Sequence, residues 1–208
     1  DWCYNALTEQ ERKTVRAALV EKAVAPIDAM IDTVSPYHNY TAVIATGLSI
    51  GGIALLGEAP RAQGWIDHGV ARMKLNFDAQ GKDGGPMEGP GYGTYAANQF
   101  ADTIWALTTA GVDNKLVTHH YLRTLPRYCV AMLNPNNHQV PCFGDGGPGV
   151  AFVNLMLALA VRGDSDAAWY CQQADQLRAD TVRKFLLLDP QRIRPKQPAR
   201  NPSDCFVD

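Results

Sequence analysis

The stretch Asp83–Tyr95, DGGPMEGPGYGTY, sets two carboxylates and two tyrosines in a frame of five glycines and two prolines. Carboxylates and phenols are among the groups that move protons at a reacting centre. The Gly/Pro density predicts neither helix nor central strand over these residues. A rigid loop that presents ionisable groups at a helix start reads as a site. Two other clusters have the same character. One is Tyr37-His38-Asn39-Tyr40, just ahead of an Ala/Gly-rich apolar run. The other is NPNNHQVPCFGDGGPG over 134–149, with His138 and Asp145.

Helical patterns separate these clusters. Thr8-Glu9-Gln10-Glu11 has the form of a capping box and opens a helix expected over about 9–34, with a kink at Pro26. A second helix, TAVIATGLSIGGIALLG, is apolar nearly all round and must be buried on most sides. Amphipathic or apolar helices are expected over about 60–79, 94–110, 115–133 (broken or bent at Pro126), 150–161 and 166–188. The tail from Asp189 reads as irregular and basic. No strand alternation stands out, so the fold class is all-α. Very apolar helices among amphipathic ones suit two layers, as in an α/α toroid of about seven helices. A plain bundle or an α-solenoid is the alternative, and no repeat period favours the solenoid.

If consecutive helices reverse direction, alternate connections share one end. Connections 35–40, 81–93 and 134–149 then lie together, and 58–60, 111–114 and 162–165 lie at the opposite end. The first set holds His38, Asn39, Tyr40, Asp83, Glu88, Tyr92, Tyr95, His138 and Asp145, while the second is short and plain. That asymmetry points to one functional face.

The bulk properties exclude several classes. The 208 residues are 46% hydrophobic and 19% charged, ordinary for a globular domain. A net charge of -2 gives no basic field for nucleic acid, and no apolar run has the length and continuity of a membrane span. The five cysteines show no zinc spacing, and their odd number leaves at least one thiol unpaired; buried apolar thiols are expected, with one disulfide in an exported protein as the alternative. Neither a metal nor a cofactor is implied. The opening Asp1-Trp2-Cys3 and the ending PSDCFVD lead us to expect a mature or excised piece.

Taken together, HNYTAV before a Gly/Ala-rich helix, DGG-x-x-EGPGYGTY after the next helix and CFGDGG later resemble the heparinase II/III family of polysaccharide lyases, with its alginate- and chondroitin-lyase relatives. The opening DWCYNALTEQER is similar too. The likeness runs to about Gly149 and returns at the terminal CFVD. The family joins an incomplete α/α toroid to a β-sandwich domain. The resemblance therefore implies a partial toroid over 1–189, a tail over 190–208 and a β-sandwich partner absent from this chain. It also implies a periplasmic or secreted enzyme that cleaves a uronate-containing acidic polysaccharide by β-elimination.

By motif, the resemblance makes Asn39 the residue that neutralises the uronate carboxylate. It makes Tyr92 the acid and base, and His38 a second base. Tyr40, Glu88, Tyr95, His138 and Asp145 become substrate contacts. The family often has Trp and Asn where this chain has Tyr40 and Thr41.

Plainer roles stand beside these. Asn39 could cap the second helix, Tyr92 could be a packed aromatic, Glu88 could brace its loop through backbone N–H groups, Tyr95 could be structural, and Asp145 could order its turn. His119-His120 is expected inside a helix. The competing functions are a glycoside hydrolase using Glu88 and Asp145, and a non-catalytic carbohydrate-binding fragment.

Overall fold

The structure, a computed structural model, describes residues 4–112, 115–141 and 143–198. It is all-α: among the described residues no β-strand forms, and one isolated bridge joins Val140 and Gly149. Cys3, Cys142, Cys205 and the terminal CFVD lie outside the described residues. Cys129 and Cys171 are free thiols in the core, as expected of apolar cysteines. No helix among the described residues is long and apolar enough to cross a membrane.

All seven expected stretches contain helix, and three are subdivided. The first comprises α1 (Glu9–Leu19), a π-turn (Val20–Val24), α2 (Ala25–Met30) and a 3-10 turn (Ile31–Thr33). The capping box forms: the Thr8 N–H donates to Glu11 Oε2 at 2.7 Å and the Glu11 N–H donates to Thr8 Oγ1 at 3.3 Å. The π-turn lies just ahead of Pro26, where Ala25 N–H reaches back to the Val20 carbonyl. A wider turn there accommodates a residue that lacks an N–H of its own. The expected helix over 166–188 is a correction. It divides into α8 (Ser165–Gln173) and α9 (Val182–Leu187), with Asp175 at φ 54° between them. A left-handed residue cannot continue a right-handed helix.

Between them come α3 (Asn39–Ala54), α4 (Ala62–Asp78), α5 (Gly89–Thr109), α6 (His120–Met132) and α7 (Val153–Ala160). The helix α6 runs through Pro126 without a break. The apolar α3 is the centre of the fold and packs on both α4 and α5. Small residues let it do so. A Cβ at Gly52 would lie 2.9 Å from the Ala62 carbonyl oxygen, and one at Gly69 would lie 2.7 Å from that of Ala45. From α5 the contacts continue to α7, then α8, then α6. The tail is irregular, but Ile193 is buried in the core, so this part is not merely solvated surface.

Simple reversal of every helix is a second correction. The chain leaving α5 does not fold back along it as a tight hairpin. A 3-10 turn (Leu116–Thr118) with fully buried Leu116 carries it to the C-terminal end of α4. There the His119 ring lies 5.3 Å from that of Phe77, and its Nε2 lies 3.1 Å from Asp78 Oδ1. His119 caps α6 through the Tyr121 N–H, so the His119-His120 pair stands at a helix start and not inside one.

Candidate functional site

The first connection is held from below by α4. Trp65, Gly69, Arg72 and Asn76 share the buried face of that helix. Arg72 Nη2 donates to the Val34 carbonyl at 2.6 Å, and Asn76 Nδ2 donates to the Pro36 carbonyl at 2.6 Å. Most buried polar groups are hydrogen-bonded; of Arg72, Nε is the atom without a partner. Here their bonds fix the backbone that leads into α3. His38 caps that helix: its Nδ1 accepts the Tyr40 N–H at 3.2 Å, and its ring lies 4.6 Å from the Tyr40 ring. Asn39 is therefore the first residue of α3 and not its cap. With Nδ1 accepting, the proton of neutral His38 sits on Nε2, which is then a donor.

Asn39 is 3% exposed, and Glu88 holds its backbone N–H and its side-chain amide. Glu88 Oε2 accepts the Asn39 backbone N–H at 2.6 Å, and Oε1 accepts the side-chain amide at 3.0 Å. Glu88 is also the N-cap residue of α5. Its carboxylate thus links the starts of α3 and α5. The bracing role expected for Glu88 is realised across loops: the backbone N–H that it holds belongs to the first connection. One amide hydrogen and the carbonyl oxygen of Asn39 are left over from this pairing.

The third connection is tied down by the same network. Gln80 Nε2 donates to the Asn76 carbonyl at 2.9 Å, and Gln80 Oε1 accepts the Met87 N–H at 2.9 Å. Asp83 Oδ1 accepts the Gly85 N–H at 2.9 Å and closes its own turn. The expectation that all of Asp83–Tyr95 is loop fails for its second half, since α5 begins at Gly89. Pro90 falls in the first turn, where a missing N–H costs nothing. Gly91 and Gly93 are there for space. A Cβ at Gly91 would lie 2.0 Å from the Asp145 carbonyl oxygen, and one at Gly93 would lie 2.5 Å from Pro86.

The fifth connection therefore packs onto the start of α5. Asp145 meets it through its backbone, and the Phe143 carbonyl approaches Gly89. Its far end is fixed by the Phe152 N–H, which donates to Thr94 Oγ1 at 3.2 Å. His138 has φ 54° and donates its N–H to the Asn134 carbonyl at 2.8 Å. The three long connections thus meet at one place, by way of Asn39–Glu88 and Gly91–Asp145.

A small, solvent-open recess of about 10 Å³, room for roughly one water molecule, lies beside the Asn39–Glu88 pair. Its wall includes Tyr37, Asn76, Gln80, Pro86, Phe100 and Tyr121; His38, Tyr40, Tyr92 and Tyr95 do not line it. Tyr92 is 43% exposed and Tyr95 45%, so neither is a packed aromatic. They lie one turn apart on α5, with Tyr92 four residues from Glu88. The tyrosines beneath the loops are different. Burial pushes the Tyr128 phenol up to about 12 and raises that of Tyr121 further, so both stay protonated. Among the described residues, no group of three His, Cys, Asp or Glu side chains is arranged to hold a metal ion.

Sequence reasoning missed Asn76 and Gln80. A signal did exist: Arg72 and Asn76 are polar residues at the buried register of α4. No family model matches the chain, and no curated protein matches it.

Proposed function

We propose that the chain is the catalytic toroid portion of a polysaccharide lyase that cleaves a uronate-containing polysaccharide by β-elimination. The observation that carries this reading is the meeting of the Asn39 connection with the EGPGY helix start through the Glu88 carboxylate. A lyase needs a donor beside the substrate carboxylate and a proton-transfer group on the same face. In this reading the remaining amide hydrogen of Asn39 and the Nε2–H of His38 withdraw charge from the uronate carboxylate. That acidifies C5–H. Tyr92 takes the C5 proton as its phenolate, the C4–O bond breaks as the C4=C5 double bond forms, and the Tyr92 hydroxyl protonates the departing oxygen. His38 acts as donor here, because its Nδ1 lone pair is committed to the Tyr40 N–H. Tyr40, Tyr95, His138 and Asp145 border the path of the chain.

The reading carries with it an incomplete α/α toroid, an exported enzyme and a β-sandwich partner domain. The hydrolase alternative, with Glu88 as acid or base, is disfavoured because both Glu88 oxygens are already bonded to Asn39. The test is the ultraviolet absorbance of an unsaturated uronate, followed for the 208-residue chain and for Tyr92→Phe on alginate, hyaluronan, chondroitin and heparan sulfate. Signal from the first and none from the second supports the reading. No signal on any substrate, from this chain or from one extended past Asp208, sinks it.

A further inference from the structure

The chemistry of the recess wall narrows the ligand. Rings (Tyr37, Phe100, Tyr121) and amides (Asn39, Asn76, Gln80) dominate that wall. Its one charged side chain is Glu88, an acid. The connections around it, 35–40, 79–93 and 134–149, hold a single lysine, Lys82, against Asp83, Glu88 and Asp145, and contain no arginine. A heavily sulfated chain carries fixed anions on most sugars. Binding one calls for guanidinium or ammonium groups that pair with those anions. Here such a chain would meet like charge instead.

What the face offers in place of cations is aromatic surface. Tyr37 is exposed on the first connection, Tyr40 in the first turn of α3, and Tyr92 and Tyr95 near the start of α5. Tyr40 is steadied by the tilted contact of its ring with His38. Rings of this kind stack on the apolar C–H faces of pyranose sugars, and their hydroxyls stay in water. Exposed rings at two helix starts that the Asn39–Glu88 bond holds together offer such a stacking surface.

We propose that this face takes an unsulfated uronate glycan, held by stacking on tyrosines and by amide hydrogen bonds, and that it rejects sulfated chains by charge. The uronate part rests on the elimination reading; the rejection of sulfate rests on the charge of the wall alone.

The experiment is titration calorimetry of the full 208-residue chain with polymers paired by backbone: unsulfated chondroitin against chondroitin sulfate, and N-acetylheparosan against heparin. Alginate and hyaluronan complete the set. The unsulfated member of each pair is expected to bind at least about tenfold more tightly, with affinity changing less than about threefold between 0.05 and 0.3 M salt. Tyr40→Ala is expected to weaken that binding by about tenfold. Lys82→Ala is expected to leave it within about twofold. Tighter binding of the sulfated members, a steep fall with salt, a tenfold loss in Lys82→Ala or no binding to any chain overturns the proposal. Selective binding with no ultraviolet signal removes the elimination reading and leaves the preference for unsulfated chains standing. Equal elimination from sulfated and unsulfated chains does the reverse.

Discussion

Glu88 gives both of its carboxylate oxygens to one residue, Asn39: Oε2 to the backbone N–H at 2.6 Å and Oε1 to the side-chain amide at 3.0 Å. The pair joins two connections that are 49 residues apart in sequence. Removing Glu88 leaves buried polar groups of Asn39 unpaired, which costs about 1–3 kcal/mol. Glu88→Gln should therefore lower the thermal midpoint, because its amide turns a donor toward donors. Asn39→Ala should do the same. Combined, the two changes should cost less than their sum by about 0.5 kcal/mol or more. A double-mutant cycle by thermal unfolding checks this, and strict additivity would mean that the pair is not a unit in solution.

Tyr92 gives a prediction of the opposite kind. Its ring is half-exposed, so Tyr92→Phe should change stability by no more than about 0.5 kcal/mol. Under the proposed mechanism it should still reduce the elimination rate by about 100-fold or more. Stability and rate measured on one preparation separate the roles. A large loss of stability would return Tyr92 to a packing role.

The helices were legible because their signals are local: the Thr8 box, the apolar run of α3 and the register of α4. The meeting of the first, third and fifth connections could also be anticipated. What could not be read was where Gly-rich sequence stops being loop. Glycine at 89, 91 and 93 disfavours helix by propensity, yet tertiary packing overrides it, since the space that a Cβ would fill belongs to Phe143, Asp145 and Pro86. The partner of Asn39 was hidden for a similar reason. A bond between residues 39 and 88 leaves no local trace, and the capping role fell to His38. The path from α5 to α6 depends on where Leu116 is buried, which no periodicity reports.

The glycines of α5 make a third prediction. Gly91→Ala would put a methyl group 2.0 Å from a backbone oxygen of Asp145, which cannot swing aside as a side-chain tip can. We expect a loss of about 1–3 kcal/mol and faster proteolysis within 134–149. Gly64→Ala in α4 is the control: its Cβ would meet nothing within 4 Å, and it should gain about 0.5–1 kcal/mol. Equal thermal midpoints for the two variants would refute the close approach at Gly91.

The last prediction concerns pH and the attachment of the N-terminal helix. His68 on α4 lies between two carboxylates: its Nδ1 is 2.8 Å from Asp28 Oδ1 and its Nε2 is 3.2 Å from Asp32 Oδ1. Both nitrogens can donate only when the ring is doubly protonated. The bond to Asp28 raises the pKa of His68 above its ordinary value, against a smaller opposing effect of burial, with Asp32 adding to the rise. For Asp28, burial acts to raise the pKa, but the His68 bond, the Arg61 charge and the Trp65 N–H together outweigh it, and the net shift is downward. Arg61 pairs with Asp28 at 2.7 Å and Arg72 faces Asp32 at 3.6 Å, so charges on both helices bear on the ring. The histidine contribution is complete below its unfolded pKa of about 6.5 and is lost as pH rises through the higher folded value. The aspartate contribution is present above about 3.9 and is lost as pH falls through the lowered folded value. The clamp is therefore strongest between about pH 4 and 6.5. His68→Asn should cost on the order of 1 kcal/mol near pH 5 and much less near pH 9. Thermal midpoints of the two proteins across that range should converge as pH rises. A gap that stays constant would show that His68 holds the helices by packing and not by charge.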